Sequence, residues 1–309
     1  YWLLAVLFFD ALRFAHRRRP FFPAWVTQNY PRAKRLALLF SILVVASIFL
    51  RGYWNFSHPS VTDVTVTIPK NAGPRTSLRA AVAADLHLGH LINRARLRQY
   101  VNLINSLEAD IILLPGDIID FGIAPLVEQN MGEELSRLRA PLGVFAVLGN
   151  HERYGNATAC AEYLSRHGIR ILRDEAALID NAFYLVGRDD IDQRRTDQHR
   201  AALADLLRPL DHAKPIIVLD HQPHHLDEPA RAGADFQLSG HTHRGQVWPV
   251  TWIVDALYPV SHGLGRKDAF QIYVTSGLGL WGFPARLGSV SEVVNLTLQF
   301  SPPPQETAP

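Results

Sequence analysis

Five short apolar runs in this chain are each followed by side chains of the kind that bind metal ions. The runs are typical of buried strands, and they cover residues 78–84, 111–114, 144–148, 216–219 and 236–238. The polar residues that follow them are Asp85 and His87, Asp117, Asn150 and His151, His221, and His241 and His243. Ligand sites in open α/β sheets form at the carboxyl ends of strands. The pattern therefore predicts that these side chains meet at one edge of a sheet.

Two pairs in this set have a two-residue spacing. Residues i and i+2 of an extended segment point the same way, so His241 and His243 are expected to face one spot. Asp85 and His87 are expected to share a face for the same reason. Gly240, just before the histidine pair, removes a side chain where the backbone must turn or come close to another group.

The donor set indicates which ions would bind. Carboxylates, imidazoles and one amide, without a thiolate, suit Mn²⁺, Fe or Zn²⁺. Seven ligands exceed the needs of one tetrahedral ion, whereas two ions that share a bridging carboxylate would use them all. Two ions ~3.5–4 Å apart favour in-line displacement at phosphorus and lower the pKa of a bound water to give a hydroxide nucleophile. Taken singly, Asp117 is also consistent with a turn, Asn150 with a helix cap and His221 with a core histidine.

The order of these motifs resembles that of a known family. Asp-x-His, Gly-Asp-x-x-Asp, Gly-Asn-His-Glu, a later His and Gly-His-x-His occur in this order in the calcineurin-like metallophosphoesterases, and the resemblance covers about residues 78–300. Residues 220–223, 239–246 and 279–288 are similar to the bacterial YkuE-like branch. The resemblance implies an α/β fold, a four-layer αββα sandwich. The alternation of apolar strands and helical segments, among them 94–107, 125–138 and 196–207, also favours an α/β fold.

The resemblance also implies roles for single residues. It gives Asp85, His87 and His243 to a first metal, Asn150, His221 and His241 to a second, and Asp117 to both. His151 would not be a ligand but would protonate the leaving group or stabilise charge on the phosphoryl oxygens. Glu152 stands where many relatives have Asp, so its pairing with His151 stays open. Asp120 is expected to fix its loop, and Arg244 and Arg286 are candidate phosphate contacts.

The amino-terminal part carries a membrane signal. Residues 36–50 are apolar, and an arginine and three aromatic residues follow, which predicts a span over about 36–56. A buried core helix and a signal peptide are the competing interpretations. Residues 1–9 are too short to span alone, and they are consistent with part of a first span or with an interfacial helix. We expect a membrane anchor over 1–58, a phosphoesterase domain over 59–300 and a disordered tail over 301–309.

Basic residues between the two apolar runs predict the orientation. They are Arg13, Arg17, Arg18, Arg19, Arg32, Lys34 and Arg35. An excess of Lys and Arg in a short loop marks the cytoplasmic side, so the downstream domain is expected outside the cytoplasm. This places the chain in the inner (cytoplasmic) membrane, with its catalytic domain facing the periplasm or the cell exterior.

These observations predict a membrane-anchored, two-metal phosphodiesterase or pyrophosphatase that acts on a phosphate ester. The loop 281–287 mixes Trp, Phe and Leu with arginine, which favours a phospholipid or nucleotide-lipid substrate, although ordinary packing explains the loop equally well. The alternatives are a periplasmic phosphatase of small soluble esters and a non-catalytic, metal-stabilised binding domain. A net charge of +2 indicates no nucleic-acid surface, and the single cysteine, Cys160, excludes a cysteine-rich zinc site.

Overall fold

The computed structural model describes residues 1–190 and 200–301, and the chain divides into two units, Tyr1–Trp54 and Asn55–Pro309. The expected disordered tail lies outside the described residues except for Ser301. The helix expected over 196–207 falls partly outside them as well, and its described part is helical only from Leu203 to Leu207.

The amino-terminal helices are α1 (Trp2–Arg18), α2 (Ala24–Gln28) and α3 (Tyr30–Ser57). Within the described residues, α3 is the one helix that is long and apolar enough to cross a membrane, with a mean hydropathy of 2.1. At ~1.5 Å per residue, its 28 residues exceed the ~30 Å of a bilayer core. The sequence predicted an apolar helix here, and the structure confirms it over a longer range.

The second unit alternates strands and helices. Its strands are β1 (Ser60–Ile68), β2 (Ser77–Val82), β3 (Ile111–Pro115), β4 (Val144–Val147), β5 (Ile169–Ile171), β6 (Glu175–Ile179), β7 (Phe183–Gly187), β8 (Ile216–Leu219), β9 (Phe236–Ser239), β10 (Gly263–Lys267), β11 (Phe270–Val274) and β12 (Glu292–Phe300). Its helices are α4 (Arg94–Ser106), α5 (Ala124–Glu128), α6 (Met131–Leu135), α7 (Asn150–Tyr154), α8 (Ala157–Arg166), α9 (Leu203–Leu207), α10 (Asp227–Ala232) and α11 (Val250–Leu257).

The strands form two sheets. In the first, the order is β1-β12-β2-β3-β4-β5, and β2 to β5 run parallel while β12 is antiparallel to β2. In the second, the order is β10-β11-β9-β8-β7-β6, with β11, β9, β8 and β7 parallel. The parallel strands of each sheet therefore bring their carboxyl ends to one edge.

Alternating side chains of the strands build the layers. Ile111 and Leu113 of β3 face the second sheet and pack in a buried cluster with residues such as Leu219 and Leu238. Ile112 and Leu114 face the other way, into a cluster with the helices that cover the first sheet. A third cluster joins the second sheet to α9 and α10. Strands buried on both faces explain the continuous apolar runs. The order helix, sheet, sheet, helix confirms the predicted αββα sandwich.

One helix expected from the sequence is interrupted. Residues 125–138 were predicted as a single helix, but the structure has α5 and α6 with Asn130 between them at φ 51°. Asparagine tolerates this left-handed conformation, which ends a helix. The helix α11 and the strand β10 were not predicted from the sequence.

Candidate metal centre

The seven predicted ligands lie in the loops at the carboxyl ends of five strands. Asp85 and His87 follow β2, Asp117 follows β3, and Asn150 begins α7 after β4. His221 follows β8, and His241 and His243 follow β9, so both sheets contribute. The backbone nitrogen of His241 donates to Asp85 Oδ1 at 2.9 Å, which joins the loops of the two sheets directly. The structure thus brings these seven side chains together at one edge of the two sheets, as the sequence predicted.

Three of the seven predicted ligands, Asp85, His87 and His243, form a first group. His87 Nε2 lies 3.0 Å from His243 Nε2, and His243 Nε2 lies 3.8 Å from Asp85 Oδ1. All three side chains are at most 2% exposed. Their ligand atoms lie within 4.8 Å of one another, which is close enough for a single cation to contact all three.

Asn150, His221 and His241 form a second group. Asn150 Oδ1 lies 3.1 Å from His221 Nε2 and 2.8 Å from His241 Nδ1. Asp117, His221 and His241 also bring their ligand atoms within 4.8 Å of one another. The amide oxygen and the two imidazole nitrogens therefore point at a common position.

Asp117 stands between the two groups. Its Oδ2 atom lies 3.2 Å from His221 Nε2 and 3.8 Å from His87 Nε2. Its Oδ1 atom accepts a hydrogen bond from the backbone nitrogen of His151 at 2.9 Å, which fixes the orientation of the carboxylate. One oxygen of Asp117 therefore faces both groups.

The protonation of these groups suits cation binding. Burial, together with His87 and Arg286, holds the pKa of His243 well below its usual value, so this imidazole is neutral, the form that binds metals. Burial and His221 likewise lower the pKa of His241 to about 3. Burial opposes ionisation of Asp117, but the nearby His221 outweighs it and lowers the pKa of this carboxyl. Asp117 therefore offers a carboxylate, and His241 and His243 offer neutral imidazoles.

Two further observations test whether the residues fit cations. His87 Nδ1 lies 3.6 Å from Asp120 Oδ1, so Nε2, which lies 3.0 Å from His243 Nε2, is the ring nitrogen that faces the first group. Burial lowers the pKa of His221, but Asp117 and Asp85 outweigh burial and raise it well above its usual value. A divalent cation would replace the proton that balances these carboxylates, as metal binding to such sites generally does. Buried charges of this kind are found paired or bound to metals, so the donor set fits divalent cations.

The backbone conformation of the ligands differs from the expected one. Asp85, His87, Asp117, His241 and His243 have φ between 47° and 71°, in the left-handed region. The expectation that the two spaced pairs share a face of extended chain is therefore wrong. The side chains converge because each backbone turns sharply after its strand. Such conformations cost about 1–3 kcal/mol each and cluster at functional sites.

Glycines make room for these turns. A Cβ atom at Gly240 would lie 2.6 Å from Asp85 Oδ2 and 2.7 Å from Ala84 Cβ. A Cβ atom at Gly116 would lie 2.5 Å from His221 Nδ1. The predicted close approach at Gly240 is confirmed, and it is the carboxylate of Asp85 that comes near.

His151 pairs with Asp120, which the sequence did not predict. His151 Nδ1 lies 2.6 Å from Asp120 Oδ1, and the imidazole packs edge-on against that of His87 with 4.5 Å between ring centroids. Burial lowers the pKa of His151, but the hydrogen bond that it donates to Asp120 outweighs burial and raises the pKa. Burial raises the pKa of Asp120, but His151 and His87 lower it to about 2. A carboxylate therefore holds Nδ1–H of His151.

Glu152 has a structural role instead. It is fully buried, and its carboxylate accepts hydrogen bonds from the backbone nitrogens of Gly149 at 2.7 Å, Ile119 at 2.7 Å and Asp117 at 3.2 Å. Burial, with Asp117, raises the pKa of Glu152 to about 7. Glu152 thus ties the loop of Asp117 to the loop of Asn150 and does not pair with His151.

Arg286 is buried and is not a phosphate contact. Its guanidinium donates to the carbonyl oxygens of Ser276 at 2.6 Å and Gly277 at 2.9 Å, and Nη2 lies 3.2 Å from His243 Nδ1. With 0% of its surface exposed, it cannot reach substrate, so that interpretation of the sequence was wrong. Arg244 is exposed. Arg286 instead braces the loop 276–290 against a predicted ligand.

The other candidate residues are more peripheral. His90 and His225 are exposed, as expected for surface histidines. His224 stacks on Tyr258 with 4.8 Å between ring centroids and lies 6.5 Å from the ring of His241, so it lines the approach to the second group. Cys160 is a buried core residue, as predicted.

Comparison with known proteins gives one family and several relatives. The family described as "Calcineurin-like phosphoesterase" matches residues 78–245, more than half of the chain. A "Transmembrane protein with metallophosphoesterase domain" from Danio rerio is 30% identical over 272 residues, covering 84% of this chain and 62% of that protein. An "Uncharacterized metallophosphoesterase" from Aquifex aeolicus is 32% identical, covering 77% of this chain and 90% of that protein. The "Uncharacterized metallophosphoesterase YkuE" from Bacillus subtilis is 27% identical, covering 80% and 89%.

This chain therefore spans less than two thirds of the length of the Danio rerio relative and most of the length of the two bacterial ones.

Proposed function

Since this chain belongs to the calcineurin-like phosphoesterase family, we propose that it hydrolyses a phosphodiester or pyrophosphate bond at a pair of divalent cations while anchored to a membrane. Family membership makes it a metal-dependent phosphoesterase, and the resemblance to the family and to YkuE is confirmed. One observation carries the two-cation proposal: a single oxygen of Asp117 faces two separate groups of buried ligand atoms.

The proposed division of ligands follows from these distances. Asp85, His87 and His243 would hold one cation, and Asn150, His221 and His241 the other, with Asp117 shared. Two carboxylates, four imidazoles and an amide suit Mn²⁺, Fe²⁺ or Zn²⁺. When bound, such cations supply Lewis acidity to the phosphoryl oxygens and make water a stronger nucleophile at neutral pH.

His151 is the residue that we propose to move a proton. Its Nδ1–H is held by Asp120, which leaves Nε2 as the atom that can donate to the leaving oxygen. The raised pKa keeps a proton on this ring closer to neutral pH, as a general acid requires. The backbone nitrogen of His151 is fixed by Asp117, so the imidazole has a set position beside the ligand groups.

Asp120→Asn is expected to decrease kcat by about tenfold, less than the ~10²–10⁴ that a general acid contributes, because the imidazole stays but loses its charged partner. Asp120 raises the pKa of His151, so its removal lowers that pKa. Activity requires protonated His151, and its decline with rising pH should therefore begin at a lower pH. A pH profile of kcat with metal analysis checks this. An unchanged profile at wild-type kcat contradicts the pairing.

The membrane part of the proposal rests on sequence and helix length. We propose that 1–58 is the anchor, that α3 crosses the inner membrane, and that the phosphoesterase domain 59–300 faces the periplasm or the cell exterior. The length and apolar character of α3 support this, as does the basic segment before it. The similarity to the Danio rerio relative, which is named as a transmembrane protein, supports membrane association.

We propose a lipid-linked phosphate ester as the substrate. Trp281 and Phe283, on the loop braced by Arg286, are 55% and 43% exposed, which supports contact with an apolar substrate. The test is hydrolysis by metal-loaded, detergent-solubilised full chain across lipid, nucleotide and simple phosphate mono- and diesters. We expect cleavage of lipid-linked diesters or pyrophosphates. Cleavage of soluble esters alone favours a phosphatase of small esters, and metal binding without any hydrolysis favours a non-catalytic binding domain.

A further inference from the structure

Exposed apolar side chains cluster in the chain just after the metal-ligand loop of β9. On α11, Trp252 is 66% exposed, Ile253 58% and Leu257 68%, and Thr251 is the buried residue of this helix. Trp248, which precedes α11, is also exposed, as are Trp281 and Phe283. We call these six residues the apolar rim: Trp248, Trp252, Ile253, Leu257, Trp281 and Phe283. Exposed apolar groups of this kind mark interaction surfaces.

Gln246 connects part of the apolar rim to the loop that carries His241 and His243. Its side-chain Nε2 donates to the carbonyl oxygens of Trp281 at 3.0 Å and Phe283 at 3.2 Å, and its Oε1 accepts from the backbone nitrogen of Trp281. Gln246 lies three residues after His243, and the rings of Trp248 and Trp252 are 5.4 Å apart. The loop 281–283 is therefore held by a residue that closely follows a predicted ligand in the chain, and α11 begins four residues after Gln246.

The chemistry of the apolar rim fits a bilayer surface. Three of its six side chains are tryptophans, which concentrate at the level of lipid headgroups. Asp255, the one charged residue of α11, has its carboxylate engaged by the Ser261 hydroxyl at 2.5 Å. Arg244 is exposed next to His243, where it can meet a lipid phosphate. An apolar helix with a basic residue beside it is what an interfacial membrane contact requires.

The connection between the candidate span and the phosphoesterase domain is short. The candidate span α3 ends at Ser57, and β1 begins at Ser60, so two residues separate them. A helix that crosses a bilayer would hold the following domain at that bilayer's surface on so short a connection.

We propose that the apolar rim inserts into the headgroup region of the bilayer and so presents the metal centre to phosphate groups at the membrane surface. The presentation of the metal centre to substrate rests on the proposed function. The contact of the apolar rim with the membrane can be measured without any enzyme activity. A second copy of this chain is the rival occupant of the same surface.

The experiment uses the full chain reconstituted in vesicles of phosphatidylglycerol and phosphatidylcholine. The single cysteine, Cys160, is buried, so Ile253→Cys adds one accessible thiol for an environment-sensitive fluorophore. Leu178→Cys is the matched control, since Leu178 is also an exposed apolar residue, 44% exposed, but lies on β6 at the opposite edge of the second sheet from β10. We expect blue-shifted emission and strong quenching by brominated lipids at 253, with neither at 178.

Other outcomes separate the two proposals. A label at 253 that emits as in water and resists brominated lipid overturns the inference, even if the vesicles hydrolyse bis(p-nitrophenyl) phosphate. Self-quenching between labels at 253, without quenching by brominated lipid, also overturns it in favour of a dimer. Lipid quenching at 253 in a metal-loaded protein that hydrolyses no ester supports the inference and contradicts the proposed function.

Discussion

Asp117→Asn is expected to remove most bound metal and to lower kcat by roughly a thousandfold, since several kcal/mol of transition-state stabilisation depend on bound metal ions. The amide cannot offer a charged oxygen to both ligand groups, each of which now has an atom of Asp117 within 4 Å. Asparagine tolerates the left-handed φ of 50° at this position, so the loop is expected to keep its shape. Metal stoichiometry and steady-state kinetics check the prediction.

The control for this variant lies in the same loop. Asp120→Asn also exchanges a carboxylate for an amide. Asp120 Oδ1 faces Nδ1 of His151 and, at 3.6 Å, Nδ1 of His87, not the Nε2 atom of His87 that we propose to bind metal, so metal content should stay at the wild-type level. Thermal unfolding adds a second measurement, because a ligand that binds only the folded state raises the melting temperature. Added Mn²⁺ should stabilise wild type and Asp120→Asn more than Asp117→Asn. Full metal content and wild-type kcat in Asp117→Asn would refute a shared carboxylate.

His151→Asn is expected to keep its metal and to lose ~10²–10⁴ in kcat, the usual contribution of a general acid. The side chain of His151 contacts Asp120 and packs on His87. Its hydrogen bond to Asp117 comes from the backbone nitrogen, which the substitution keeps. The loss should depend on the leaving group. Esters with acidic phenol leaving groups need little proton donation, so they should be affected less than esters of aliphatic alcohols.

A second histidine serves as the control. His225 is exposed, and asparagine tolerates its left-handed φ of 52°, so His225→Asn makes the same exchange without touching the ligand groups. It should retain wild-type kcat for both kinds of ester. If His151→Asn hydrolyses aliphatic esters as fast as wild type while metal-loaded, His151 is not the proton donor.

That the ligands lie at the same edge was predictable from the sequence, because this depends on where the strands end. Apolar runs buried on both faces identify parallel strands, and parallel strands end at the same edge. Asp117 after β3 and His221 after β8 lie in different sheets, so their meeting also requires the two sheets to pack together with these strand ends on the same side. The αββα sandwich follows from the same alternation of strands and helices.

The detailed geometry was not predictable from local patterns. The pairing of His151 with Asp120 instead of Glu152 depends on how two loops approach each other after the sheet has formed. The left-handed backbone at His241 and His243 is held by tertiary contacts, against the local preference of these residues.

Arg286 shows the same limit. An arginine in a Gly- and Pro-rich loop suggested a phosphate contact, yet the carbonyl groups that bury it come from neighbours within that loop, folded back on themselves. No spacing rule for single residues predicts that arrangement. The loop folds around the positively charged guanidinium of Arg286, whose five N–H donors can each bond a backbone carbonyl oxygen.

The position of β12 determines when the metal centre is completed during biosynthesis. β1 and β2 are consecutive in the chain, but β12 lies between them, parallel to β1 and antiparallel to β2. The strand that carries Asp85 and His87 at its end thus gains one of its two neighbours only after residue 300 has left the ribosome. Pairing over such a separation is slow. Metal loading should therefore follow translation, and a ribosome-stalled chain that ends before residue 292 should be unable to retain a cation pair.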